Sequence, residues 1–259
     1  MTKEWFHHFH KDEHPFVNKA WEWIEKAEHR HEVRLTDFLD PRQAYVVSTL
    51  VNRTTQVKLH LSGGSDEAER KRAWIAPDYL HPAETDFSMC VLAVDAGEEG
   101  RALDHGDYMG AVLGLGLKRD KIGDIHVQES GCHYVIAQEV GDYLNLHLRQ
   151  VHRIHVHTEL LPLSELKPTT SKLEEMSFTV ASLRLDALVG DVFKMSRAKA
   201  LQPIKAGHCK VNWKEEPDPS TLLETGDLVS LKGYGRFKVM ETEGMTKKGR
   251  IRIKIGRYC

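Results

Sequence analysis

Between residues 15 and 28 apolar side chains return at helical spacing, at Phe16, Ala20, Trp23, Ile24 and Ala27, and Pro15 suits a first helical turn. FLDPRQ (38–43) has the composition of a turn, and the apolar runs AYVVSTLV and QVKLHL predict two strands. The charged stretch SDEAERKRA predicts a short helix leading to WIAP. Residues 1–75 are therefore expected to form a small α/β lobe.

Over residues 76–162 the pattern is clearer. FSMCVLAVDA (87–96) is a continuous apolar run, the mark of a buried strand, and GDYMGAVLGLG (106–116) predicts a helix stopped by glycine. DIHV and CHYVIAQ flank the turn QESG and predict a hairpin. VGDYLNLHLRQ (140–150) predicts a second helix, and HRIHVHTEL alternates as a strand does. This β-α-β-β-α-β order is the split ferredoxin-like pattern of RNA-recognition domains, but enzymes and regulatory modules share it, so it does not fix function. The aromatic signature of the RNA-recognition motif is missing, since CHYVIAQ offers one Tyr.

Turn-rich LPLSELKPTTSKLEEM marks a connector, placed at 163–180, before a C-terminal domain over 181–259. There Leu185, Leu188, Val189, Val192 and Phe193 share one face of a short helix. Ser196 is a natural N-cap for a second helix that Gly207 would stop. HCKVNW reads as a strand, and LLETGDLVSL turns at Gly226-Asp227 into another. In the tail KKGRIRIKIGR, Ile251, Ile253 and Ile255 alternate with Arg250, Arg252 and Lys254, one buried face and one basic face. That basic face is either an RNA contact or the charged guard of an edge strand. The expected class is α+β: an N-terminal lobe, a ferredoxin-like domain, and two short helices on a small sheet.

Charge separates these blocks. The net charge of the 259 residues is −2. From Ala181 onward, however, sixteen Lys and Arg face nine Asp and Glu, a net of +7 against −9 for residues 1–180. An acidic body with a basic appendage points to a polyanion partner. The four scattered cysteines, Cys90, Cys132, Cys209 and Cys259, form no C-x-x-C pair, which argues against a disulfide framework or a zinc knuckle. The N-terminal stretch lacks the apolar core of a signal peptide, and no apolar run approaches the roughly 20 residues of a membrane span. A cytoplasmic, soluble protein without membrane contact, metal or cofactor is expected, with a monomer as the expected state.

Arg184-Leu185-Asp186, Ser196-Arg197, Ile204, Gly207, Val211-Asn212 and Gly226-Asp227, in this order and spacing, resemble the RNA-binding domain named for the fourth small-subunit ribosomal protein, here the S-four domain. Two positions depart from that pattern: Pro203 falls inside the second helix, and Trp213 stands where the family commonly turns with glycine. Upstream, FLDPRQ, ERKRAWIAP, GAVLGLGLKRDKIGDI and GYGRFKV extend the resemblance over nearly the whole chain to the YlmH family of bacterial S-four-domain proteins. The resemblance implies a non-enzymatic protein that binds ribosomal RNA, with tRNA as a further ligand, on the large ribosomal subunit, in the handling of stalled translation. The family is often encoded beside cell-division genes. The RNA-binding residues expected on this basis are Arg184, Lys194, Ser196, Arg197, Lys199, Lys205, Lys210, Lys232 and Arg236, with Arg184 and Arg197 as principal contacts at the two helix starts. Arginine forks bridge phosphate oxygens, and structured RNA is read mainly by shape, 2′-hydroxyls and phosphates. Lys118, Arg119 and Lys121 are expected as a second RNA-facing patch on the body.

Other motifs carry alternatives. KMSRA (194–198) is similar to the ATP loop of class I tRNA synthetases but lacks its H-x-G-H partner. Arg184-Leu185-Asp186 is similar to the catalytic motif of pseudouridine synthases, yet no second catalytic block follows. SGGS (62–65) has phosphate-cradle composition, but Asp66, Glu67 and Glu69 would repel an anion there. His7, His8, His10 and His14, and then His152, His155 and His157, raise a metal site; His155 and His157 share a strand face, without a third ligand at matching spacing. Two other functions stay open: an RNA-modifying or RNA-cleaving enzyme using carboxylates around Asp120, Asp124 and His105, and a cell-division adaptor with an apolar patch on its body.

Overall fold

In this computed structural model the chain divides into two units, Met1–Thr169 and Thr170–Cys259, and the structure describes residues 9–97, 103–169, 173–246 and 249–258. His7, His8, Lys247, Lys248 and Cys259 lie outside the described residues.

The first unit opens with α1 (His14–Arg30), whose face Val17, Ala20, Trp23, Ile24 and Ala27 is buried. β1 (Arg34–Leu39), α2 (Pro41–Val51), β2 (Val57–Ser62) and β3 (Lys71–Pro77) follow, the strands forming an antiparallel sheet in the order β1-β3-β2. Two expectations are corrected here. AYVVSTLV is helix α2, not a strand, because Asp40 accepts from the Gln43 amide while the Gln43 side chain answers the Asp40 amide, with Pro41 in the first turn. SDEAERKRA is not a helix: residues 65–70 are irregular and Lys71 begins β3, where Arg72 and Ala73 are buried.

Next come β4 (Met89–Asp95), α3 (His105–Gly114), β5 (Ile122–Val127), β6 (Gly131–Ala137), α4 (Gly141–His147), the hairpin β7 (Gln150–Val151) and β8 (Ile154–His155), and β9 (His157–Leu161). Their antiparallel sheet has the order β5-β6-β4-β9. Tyr108 and Val112 of α3 and Leu144 of α4 pack on one face of it, against Leu92, Val94, Cys132 and Tyr134. The Tyr134 hydroxyl donates to the Tyr108 carbonyl at 2.9 Å.

Three arginines bind backbone carbonyls inside this unit. Arg72, 4% exposed, donates to Thr36 O and Ser88 O, both at 2.8 Å. Arg70 donates to Ile122 O and Phe38 O, and Arg119 to Ile122 O and Gly123 O. β1, β3 and β5 are thereby clamped together.

The second unit is one six-stranded antiparallel sheet covered by two helices. β10 (Leu173–Val180), α5 (Leu185–Val192), α6 (Arg197–Lys205), β11 (Cys209–Val211), β12 (Lys214–Glu215), β13 (Leu228–Leu231), β14 (Gly235–Met245) and β15 (Ile251–Tyr258) run in sequence, with sheet order β10-β15-β14-β13-β11-β12. Leu188, Val192, Ala200 and Ile204 of the helices meet Cys209, Val229, Phe237, Ile253 and Ile255 of the strands in one core. SFTVAS (177–182), strand-like in sequence, belongs in part to β10, which begins earlier, at Leu173 within the expected connector, and pairs along its length with β15. Consequently β15 is an interior strand, and no edge guard is needed there.

Candidate nucleic-acid interface

The α5–α6 turn is built by capping chemistry. Ser196 Oγ accepts from the Lys199 amide at 3.2 Å and starts α6. Pro203 does not end the helix, which continues to Lys205. It stops as the Gly207 amide bonds to Ile204 O and the His208 amide to Pro203 O, a paired arrangement that needs the left-handed φ of +74° at Gly207. Lys194, Ser196, Arg197, Lys199 and Lys205 are all exposed on these helices and their turn.

On the sheet side, Lys210, Ser230 and Arg236 are cross-strand neighbours on β11, β13 and β14. They lie on the face opposite the helices, since Cys209 and Phe237 beside them point into the core. The expected basic residues thus occupy two faces, on either side of the sheet end that carries the β13–β14 turn of residues 232–234. There Tyr234 packs on Phe193, centroids 5.9 Å apart. Arg257 lies 5.8 Å from the Phe193 ring, and Arg236 stacks 4.6 Å from Tyr258. Lys194 follows Phe193, and Lys232 is exposed on the turn. Tyr234, Arg257 and Tyr258 were not singled out from sequence; the signal was the aromatic-basic GYGRF stretch and the Arg-Tyr end of the chain.

Several expected contacts have internal partners. Arg184 does stand at the start of α5, but its Nε and Nη2 both bond to the Asp186 carboxylate at 3.1 Å. The neighbouring Leu185 and Asp186 amides donate to Thr221 O and Pro219 O, so those helix-start groups are not open to a phosphate. On β15, Lys254 pairs with Glu175 at 2.8 Å and Arg252 with Glu243 at 3.7 Å, and Arg250 just before the strand donates to Thr179.

Two of the three residues expected as a second patch also have internal partners. Arg119 is largely enclosed, and burial, with Arg70 close by, pulls its pKa down to about 10. Lys121 bridges Asp37 at 2.6 Å and Glu139 at 3.0 Å. Only Lys118 of the three is exposed. Of the carboxylates in the enzyme reading, Asp124 accepts from the Glu69 and Arg70 amides, and burial raises its pKa against those bonds, whereas Asp120 Oδ1 is buried without a hydrogen-bond partner among the described residues.

His155 and His157 sit in different sheets, and the described residues hold no group of three potential metal ligands. SGGS is a packing turn, where a side chain on Gly63 would strike the Arg70 carbonyl and Ala68. Leu113, Tyr143 and Leu146 of α3 and α4 are exposed apolar positions on the body. Cys90, Cys132 and Cys209 are buried free thiols.

These features define a mixed α+β protein whose C-terminal unit presents a basic and aromatic end. Residues 12–80 match the family model described as "YlmH, N-terminal", and residues 82–165 the one described as "Putative RNA-binding domain in YlmH". The chain is 37% identical, over 97% of its length and 98% of the relative's, to the "Ribosome-associated protein quality control protein P2" of Bacillus subtilis (strain 168). Among solved structures, "Cell division protein ylmH from Streptococcus pneumoniae" aligns with a TM-score of 0.54 at 29% identity, covering 62% of this chain and 98% of that one. The chain belongs to the YlmH family. No helix among the described residues is long and apolar enough to cross a membrane.

Proposed function

We propose that this protein binds structured RNA through the basic end of its C-terminal unit and does so on the ribosome. The finer reading is non-catalytic contact with large-subunit ribosomal RNA, tRNA or both, in the rescue of stalled translation. The observation that carries it is the set Lys194, Arg197, Lys199, Lys205 and Lys232, exposed and without an ion pair among the described residues, with Lys194 and Lys232 adjoining the Phe193–Tyr234 ring pair in the chain. Cations left without internal carboxylates are suited to phosphates, and interleaved rings to bases. Two short helices on an antiparallel sheet support an S-four-type unit, and the β5-β6-β4-β9 order supports a ferredoxin-like body. The names of the Bacillus relative and of the matched RNA-binding family model point the same way.

The test is cosedimentation of the intact protein with empty large subunits and with subunits bearing peptidyl-tRNA, across a salt series. Neutralising about 4–6 phosphates gives a log–log slope of roughly −3 to −5. Absence of cosedimentation at low salt would overturn the reading.

A further inference from the structure

The β13–β14 turn holds an aromatic ring in an unusual setting. Tyr234 stands between Gly233 and Gly235, whose φ values are +82° and +110°. Both belong to the left-handed half of conformational space, where glycine is the residue of choice. A Cβ placed on either glycine would meet no atom within 4 Å beyond its chain neighbours, so it is the backbone conformation and not a close approach that calls for glycine here. The backbone beneath is pinned by the Tyr234 amide bonding to Leu231 O at 3.0 Å. The ring leans on Phe193 at a tilt of 49°, and Phe193 is itself wedged against Phe237 at 5.8 Å. Despite this support, Tyr234 remains 39% exposed. Lys194 and Lys232 are exposed close to it in the chain or beside its packing partner.

We infer that Tyr234 is a stacking platform for an unpaired RNA base, so that the basic end of the C-terminal unit takes RNA in which a stem adjoins an unpaired nucleotide. The inference rests on the RNA-binding reading above and adds the kind of RNA to it. A ring already fixed from below loses little freedom when a base settles on it. Lys194, Lys232 and Arg197 supply the phosphate contacts that any stem would satisfy, whereas the ring responds only to a base with an exposed face.

The test uses the intact protein and three RNA hairpins with the same stem: fully paired, carrying one unpaired adenine, and carrying an abasic nucleotide at that place. Affinity is read by fluorescence anisotropy at matched salt. The wild type is expected to prefer the unpaired-adenine hairpin over the other two. Tyr234→Ala should weaken binding of that hairpin roughly ten- to hundredfold and leave the paired and abasic hairpins unchanged. Tyr234→Phe, which keeps the ring, should bind like the wild type. Equal weakening on all three RNAs would assign Tyr234 a structural role, and no weakening on any would remove it from the interface; either result overturns the inference alone. A wild type that binds none of the three at low salt would instead overturn the RNA-binding reading, and this inference with it.

Discussion

Changing Arg119 and Lys121 to alanine together separates a structural role from an RNA-binding one. Arg119 donates to the carbonyls of Ile122 and Gly123, the latter at 3.0 Å, and Ile122 O keeps Arg70 as a second donor at 3.1 Å. Truncation therefore strands mainly the Gly123 carbonyl. A hydrogen bond to a charged group contributes about 1.5–3 kcal/mol, and relief of the buried guanidinium beside Arg70 returns part of it. A net loss of about 1–2 kcal/mol remains. Lys121 bridges two carboxylates and its side chain is 28% exposed, so solvent screening holds its share to about 1 kcal/mol. The double variant should lose about 2–3 kcal/mol, a fall of roughly 4–12 °C in Tm for a unit of this size. Its RNA affinity and salt slope should match the wild type. Calorimetry of the intact protein and anisotropy over a salt series read the two quantities. An unchanged Tm with a salt slope shallower by about 2 would refute the structural assignment and make both residues phosphate contacts.

Arg197→Ala should weaken RNA binding by about 1–3 kcal/mol with an unchanged Tm, while Arg184→Ala should lower the Tm, since it leaves the buried Asp186 carboxylate without its guanidinium; the reverse pattern in melting and binding assays would exchange their roles. Trp213→Gly should raise stability by about 1 kcal/mol, because Trp213 holds φ +64° in the two-residue β11–β12 turn and belongs to none of the three apolar clusters; a lower denaturation midpoint would show that its packing outweighs the strain. Burial first, then Lys167 and His126, holds the pKa of His133 below its ordinary 6.5, so the unfolded chain takes up a proton that the folded chain resists. Stability from His133 is therefore intact above about pH 6.5 and declines as the pH falls below it. A Tm flat from pH 7.5 to 5.5, or an identical decline in His133→Asn, would remove His133 as the cause.

The elements whose apolar period was unbroken were legible: α1, α3, α5 and the β5–β6 hairpin follow directly from their side-chain spacing. α2 was misread because Val46, Val47 and Val51 favour strands, while the deciding signal was the Asp40-Pro41 start with Gln43 two residues on, inside what looked like a turn. The basic runs misled for a different reason. RKRA and KRDK have the composition of a solvated surface, yet Arg70, Arg72 and Arg119 turn inward to carbonyls, and Lys121 finds Asp37, 84 positions away. Nothing local in a sequence marks a cation whose acceptor is that distant. Caps are different, because donor and acceptor lie within a few residues. Ser196 and Gly207 were readable for that reason.

The same distinction governs how many phosphates the protein can hold. Of the C-terminal cations, Arg184, Arg250, Arg252 and Lys254 already answer Asp186, Thr179, Glu243 and Glu175. Lys194, Arg197, Lys199, Lys205, Lys210 and Lys232 remain exposed without an ion pair among the described residues. Lys210 lies on the sheet face and the first four on α6 and the turn before it, so a single straight stem cannot meet all six at once. The net +7 therefore overstates the number of simultaneous phosphate contacts, and a moderate salt slope follows from the geometry. What the charge withholds in affinity, the aromatic cluster at the β13–β14 turn is placed to return as selectivity: phosphates attract any stem, but Tyr234 responds only where a base has left the stack.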